Sequence, residues 1–182
     1  TIDGQSLNRF DETWEQPWGE EKFIRNHYNE LTVEISSDLN PDANMSVLFR
    51  VYDDGFAFRY SVSGNGDREE FIMLDELSEF AIASDPESWW IKAYQWNRYE
   101  YLYEQSLLSE IDTVHTPVTM KVNPNLYLSI HEAALTDYAS MTIEQTGGNT
   151  LKCNLVPWAD GTKVKGKFPL LSPWRTVQIN DT

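Results

Sequence analysis

The stretch Val47-Leu48-Phe49-Arg50-Val51-Tyr52-Asp53-Asp54-Gly55-Phe56-Ala57-Phe58-Arg59-Tyr60 decides the fold class. Val47, Phe49 and Val51 alternate with Leu48 and Arg50. Phe56, Phe58 and Tyr60 resume the alternation after Asp53-Asp54-Gly55. A period of two is that of a strand, whose successive side chains point to opposite faces. Asp-Gly between two such runs signals a hairpin, because glycine accepts positive φ.

The same pattern extends in both directions. Upstream, Leu31, Val33 and Ile35 alternate with Thr32 and Glu34. Downstream come short runs at Phe71 to Leu74, Glu79 to Ala83, Tyr99 to Leu107 and Thr116 to Val122. Further runs follow at Leu126 to Leu135, Met141 to Gln145, Leu151 to Val156 and Trp174 to Ile179. Turn clusters punctuate them at Ser63 to Asp67, Thr146 to Asn149 and Ala159 to Thr162. This spacing predicts an all-β chain built as a large antiparallel sandwich. No segment sustains a helical stripe over three turns. Ala133-Ala134-Leu135 has the composition of one helical turn beside a strand pattern. Pro169 to Pro173 is the nearest thing to a boundary, since proline fixes φ and interrupts pairing.

The chain has 182 residues, with 14 Lys and Arg against 29 Asp and Glu, hence a net charge of −15. That field repels duplex nucleic acid and disfavours an anionic membrane surface. Hydrophobic residues at 41% are enough for a core. A single cysteine, Cys153, excludes an internal disulfide framework and a cysteine zinc cluster. There is no apolar run long enough for a transmembrane helix and no basic-then-apolar start. The chain begins at Thr1 without Met, as a mature or trimmed product would. Aromatics at 13%, seven of them Trp, suit a β core better than they prove a sugar-stacking surface.

Most chemical motifs fail on inspection. His131-Glu132-Ala133-Ala134-Leu135 opens like a zinc-protease helix, but Leu135 stands where the second His is needed. His27, His115 and His131 are too scattered for a metal site and read as structural or surface residues. Gly64-Asn65-Gly66 lacks the context of a phosphate loop, and no Gly-x-Ser-x-Gly elbow exists. Most carboxylates belong to a solvated acidic face. Glu132 differs, because it lies in the apolar run from Leu126 to Leu135. A carboxylate there needs an Arg, a hydrogen-bond cluster or a cation, and buried carboxylates are more often paired within the protein.

Several stretches taken in order resemble one family. They are Trp14 to Trp18 with Gly19-Glu20, Tyr28 to Leu31, Phe49 to Gly55 with Phe58-Arg59-Tyr60, and Glu76 to Phe80. Asn97-Arg98-Tyr99-Glu100, Thr116 to Thr119, His131 to Leu135 with Asp137-Tyr138, and Pro173 to Thr176 complete the set. Over essentially its whole length the chain is similar to the N-terminal domain of glycoside hydrolase family 97, the family of the starch-utilisation α-glucosidase of gut Bacteroides. The resemblance implies a galactose-mutarotase-like β-super-sandwich packed on a catalytic (β/α)8 barrel of the same parent chain. It implies calcium-dependent hydrolysis of α-linked oligosaccharides in the periplasm, by inversion with glutamates or by retention with an aspartate nucleophile. The catalytic carboxylates then lie on the barrel and none in this chain. Residues 1 to 182 read as one incomplete N-terminal domain, short at both ends, with edges and an apolar patch open to self-association.

The resemblance also implies residue roles. Glu132 matches the glutamate that the domain lends to the active-site calcium. One Glu cannot hold an ion that takes six to eight oxygens, so barrel and water supply the rest. Asn97 is a weaker candidate, for calcium or a sugar hydroxyl, against its commoner role as a turn or strand-end residue. Trp174 and Arg175 read as structural anchors. Three other readings compete. One is the same domain of a retaining α-galactosidase. Another is a free-standing carbohydrate-binding sandwich. The last is a mutarotase-like enzyme using a His and a Glu. Only His131 and Glu132 are adjacent, and strand neighbours point to opposite faces.

Overall fold

A computed structural model describes residues 1–37, 43–64, 69–95 and 100–181. Among them the first seven strands are β1 (Ile2–Glu15), β2 (Phe23–Ile35), β3 (Ala43–Tyr52), β4 (Gly55–Gly64), β5 (Glu70–Met73), β6 (Glu79–Ala81) and β7 (Glu87–Trp90). Next come β8 (Glu104–Leu107), β9 (Thr113–His115), β10 (Val118–Asn123), β11 (Leu126–Ala133) and β12 (Met141–Gly147). The last are β13 (Thr150–Leu155), β14 (Val164–Lys167), β15 (Leu170–Leu171) and β16 (Trp174–Asn180). One 3-10 turn, Leu108–Glu110, interrupts the strands. Every pairing is antiparallel.

The large sheet runs β1-β2-β3-β4-β16-β11-β10-β7-β8, with β15 also bonded to β4. A smaller sheet, β6-β13-β12-β9, covers part of its inner face, and β5 pairs with β14. The core lies between the two sheets. Val118, Met120, Ile130 and Val177 come from the large sheet; Val114, Ile143, Leu151, Cys153 and Leu155 come from the small one. Leu108 and Ile111 close one end. Full burial of each aliphatic side chain contributes about 1.5–3 kcal/mol, so these residues carry the sandwich.

The decisive hairpin forms as expected, with one difference. Tyr52 pairs with Gly55, leaving Asp53 and Asp54 as the two-residue turn. Gly55 takes the positive φ, 153°, and is already in the ladder opposite Gln178. A Cβ there would meet the Val177 carbonyl oxygen at 2.2 Å. The glycine serves close strand approach as well as the turn.

β1 carries no hydrophobic alternation, and all its residues except Gly4 are exposed. It is a strand because β2 templates it across thirteen paired positions. Arg25 clamps Asp11 with two hydrogen bonds of 2.8 and 2.7 Å, and Phe10 stacks on Tyr28 at 5.1 Å. Two expectations are corrected. Ala133 to Leu135 forms no helical turn: β11 ends at Ala133 and Ala134 adopts φ 56°. Pro169 to Pro173 is no boundary, because Leu170 and Leu171 between the prolines pair with Val62 and Ser61 of β4.

Candidate functional site

Glu132 and Arg175 face each other across β11 and β16. Both lie on the inner face, because Ile130 and Val177, two positions along, are core residues. Arg175 is fully buried, and each of its three guanidinium nitrogens donates to a carboxylate. Nη1 donates to Glu132 Oε2 at 2.7 Å, Nε to Glu76 Oε1 at 2.8 Å and Nη2 to Glu76 Oε2 at 2.5 Å. The second Glu132 oxygen accepts the Met141 N–H at 3.0 Å. Glu76 also accepts from Ser78 Oγ at 2.8 Å and from Tyr138 Oη at 2.9 Å.

Burial acts to raise the Glu76 carboxyl, but the hydrogen bonds and charge of Arg175 outweigh it and hold it below the usual glutamate value. Burial pulls the guanidinium down, yet Glu76 and Glu132 keep Arg175 above the ordinary arginine value. Burial and the Glu76 charge push the Tyr138 phenol up, which keeps it a proton donor. Two carboxylates face one guanidinium, so the cluster carries one negative charge in excess. Such groups are costly to bury unless every member is satisfied; here each has a partner.

The donor set bears on the calcium expectation. Among the described residues no group of three or more His, Cys, Asp or Glu is placed to hold a metal ion. Calcium needs six to eight oxygens, and Glu132 already serves a guanidinium and a backbone N–H. The described residues therefore do not by themselves form a calcium site. The Glu132 side chain is 8% exposed, with one oxygen on Arg175 and the other on the Met141 N–H.

The other sequence candidates separate. His131 and Glu132 point to opposite faces, as strand alternation requires, so they cannot act as an acid–base pair. His131 Nδ1 lies 3.1 Å from Thr116 Oγ1. His27 sits beside Arg9 at 3.2 Å. Burial lowers the His115 imidazole below its ordinary value. Asn97 lies outside the described residues. Arg175 is the structural anchor expected of it. The part of Glu76 in anchoring it was missed, and the signal available was Arg175 itself. It shares the parity of Val177 in an apolar strand, so it needed an unseen carboxylate.

The outer face of the large sheet holds a second arrangement. Trp174 is buried there, with the guanidinium of Arg50 over its ring at 4.4 Å and that of Arg59 at 4.9 Å. Arg50 also lies over Tyr28 at 4.2 Å and donates to Glu30 at 2.7 Å. Beside them Gly55, Ala57, Ala133 and Thr176 floor a hollow of about 330 Å³ walled by Arg50, Tyr52 and Trp174.

Residues 1–182 match the family model described as glycosyl-hydrolase 97 N-terminal. The chain belongs to this family. A glycoside hydrolase family 97 enzyme of a Pseudoalteromonas strain, in complex with acarbose, is 37% identical with a TM-score of 0.94. The alignment covers 100% of this chain and 28% of that one. A variant of it in complex with panose matches equally well. A retaining alpha-galactosidase of Bacteroides thetaiotaomicron is 25% identical, over 88% of this chain and 25% of its own length. A beta-arabinopyranosidase shares the fold, with a TM-score of 0.86 at 20% identity. The chain thus spans about a quarter to a third of the length of these relatives. It is a glycosyl-hydrolase 97 N-terminal domain, and its all-β sandwich is that of the family.

Proposed function

We propose that this domain serves a calcium-dependent α-glucosidase acting on starch-derived oligosaccharides, without catalysing the reaction itself. It packs on the catalytic barrel, and Glu132 lends that barrel one calcium ligand. The observation that carries the reading is the likeness over the whole chain to a family 97 enzyme found in complex with acarbose and, as a variant, with panose. Calcium would supply Lewis-acid and charge stabilisation at the reacting centre. This chain's part is to hold the Glu132 carboxylate rigidly, through the Arg175 and Met141 bonds, at the end of β11. Periplasmic residence belongs to the same proposal and is tested by cell fractionation.

The test is made in the full-length protein that carries this chain. Hydrolysis of p-nitrophenyl α-glucoside is expected, while the chain alone hydrolyses nothing. Glu132→Gln keeps shape and one carbonyl oxygen but removes the charge, so calcium affinity measured by titration calorimetry should fall. Unchanged affinity and turnover would return Glu132 to a purely structural role. The alpha-galactosidase relative favours a second reading, and faster turnover of the α-galactoside than the α-glucoside would select it.

A further inference from the structure

Arg59 is a cation without a counter-ion. Its neighbour Arg50 pairs with Glu30 at 2.7 Å. Among the described residues Arg59 donates no hydrogen bond and has no carboxylate within ion-pair distance, and its Nε is buried and unmet. Leaving a buried donor unsatisfied is unfavourable, and more so when it is charged. Only the Trp174 ring, 4.9 Å from the guanidinium, holds it in place. Burial and then the Arg50 charge lower its pKa, so both act against the charged form. A nearby anion would act the other way.

Arg59 lines a cleft of about 580 Å³. Lys165 and Lys167 line it from β14, where positions two apart share a face. Thr136 and Asp137 line it from the loop after β11, and Ser172 from the segment before β16. Three cations thus meet one carboxylate, Asp137. Asp160 pairs with Lys165, so the cleft keeps one positive charge in surplus. Glu70 is the ladder partner of Lys167 but makes no ion pair with it. This local surplus persists in a chain with 29 acidic residues and a net charge of −15. Because Nε is out of solvent reach, the two Nη groups are the donors left to a ligand. A planar guanidinium suits the oxygens of an oxyanion, and each ammonium adds a point charge. The volume lies within the usual range of ligand pockets and has room for more than a bare ion.

We infer that the cleft between Arg59 and Lys167 binds a tetrahedral oxyanion, sulfate or phosphate, either free or carried as an ester on a sugar. The inference does not rest on the α-glucosidase reading above; it concerns only the cations of this cleft.

The test is calorimetric titration of the full-length protein with sodium sulfate. Sodium chloride holds the ionic strength constant, so that general screening is equal throughout. Saturable binding is expected. Arg59→Gln should weaken it about tenfold or more, the worth of a hydrogen bond to a charged group. Lys167→Gln, at an exposed position, should weaken it too. Lys22→Gln, in the β1–β2 turn, should leave it unchanged. Glucose 6-sulfate separates the two sources. Tighter binding that still requires Arg59 assigns the cleft to a sugar-borne ester, and equal or weaker binding assigns it to the free ion. If Arg59→Gln does not fold, Lys167→Gln decides alone. No saturable binding of either probe overturns the inference. So does binding that survives both cleft substitutions, and so does an equal loss in Lys22→Gln, which would reduce the effect to general charge.

Discussion

The Arg175 guanidinium holds both carboxylate oxygens of Glu76, at 2.8 and 2.5 Å, across a sequence separation of 99 residues. Its remaining Nη1 reaches Glu132 on the neighbouring strand. One side chain thereby joins β16, β11 and the segment after β5 beneath the small sheet. Specific positioning, rather than net stabilisation over an apolar core, is what such a buried cluster offers.

Removing the cation should be severe. Arg175→Met leaves Glu76 and Glu132 buried without a counter-charge, and the expected loss is about 3–5 kcal/mol by urea unfolding. Adding Glu76→Gln to Arg175→Met should recover part of that loss, because one stranded charge is gone. Equal stabilities for the single and double variants would show that Glu76 is satisfied without Arg175.

Acid should act through Glu76. Its folded pKa lies below the ordinary 4.5, held there by Arg175 against the opposing effect of burial. The stabilisation is therefore complete above pH 4.5 and is lost as pH falls through the folded value. The melting temperatures of the native protein and Glu76→Gln should differ most near neutrality and converge below that range. A gap that widened on acidification would contradict the assignment.

Cys153 should be silent until the chain unfolds. It is fully buried in β13, and burial together with the Glu76 charge pushes its thiol well above the ordinary value. Only the thiolate reacts. A maleimide should leave the native protein unlabelled for hours and label it within minutes in urea.

The core can be tested at Leu151, which is fully buried between Phe80 and Gln145 on its strand neighbours. Leu151→Ala should cost about 2–5 kcal/mol by chemical denaturation. A loss under 1 kcal/mol would mean that the two sheets are not packed as described.

The hairpin at Asp53-Asp54-Gly55, the strand at Leu126 to Ala133 and the last strand were legible because alternation and turn chemistry agree there. β1 was not legible. Its few apolar residues, Ile2, Leu7, Phe10 and Trp14, show no period of two, and its strand state comes from the partner it pairs with. The pair Leu170–Leu171 was hidden by its flanking prolines, and β7, β9 and β14 were too short to show a period. At the site, the burial of Glu132 could be read from its apolar run, but the choice among Arg, hydrogen bonds and cation could not. That choice depends on Arg175, which the β11–β16 register brings to it, and on Met141, which the packing of the small sheet brings.

The position of β16 governs when this domain can exist. It lies in the middle of the large sheet, hydrogen-bonded to β4 on one side and β11 on the other. Until it is made, the early strands β1–β4 and the later group β7, β8, β10 and β11 are two separate half-sheets with raw edges. Synthesis, at about 5–20 residues per second, must reach Asn180 before the two halves can be zipped. Such late, distant pairing is slow and leaves hydrophobic strands open. A chain lacking its last strand would therefore be expected to fail as a whole rather than fray at one end.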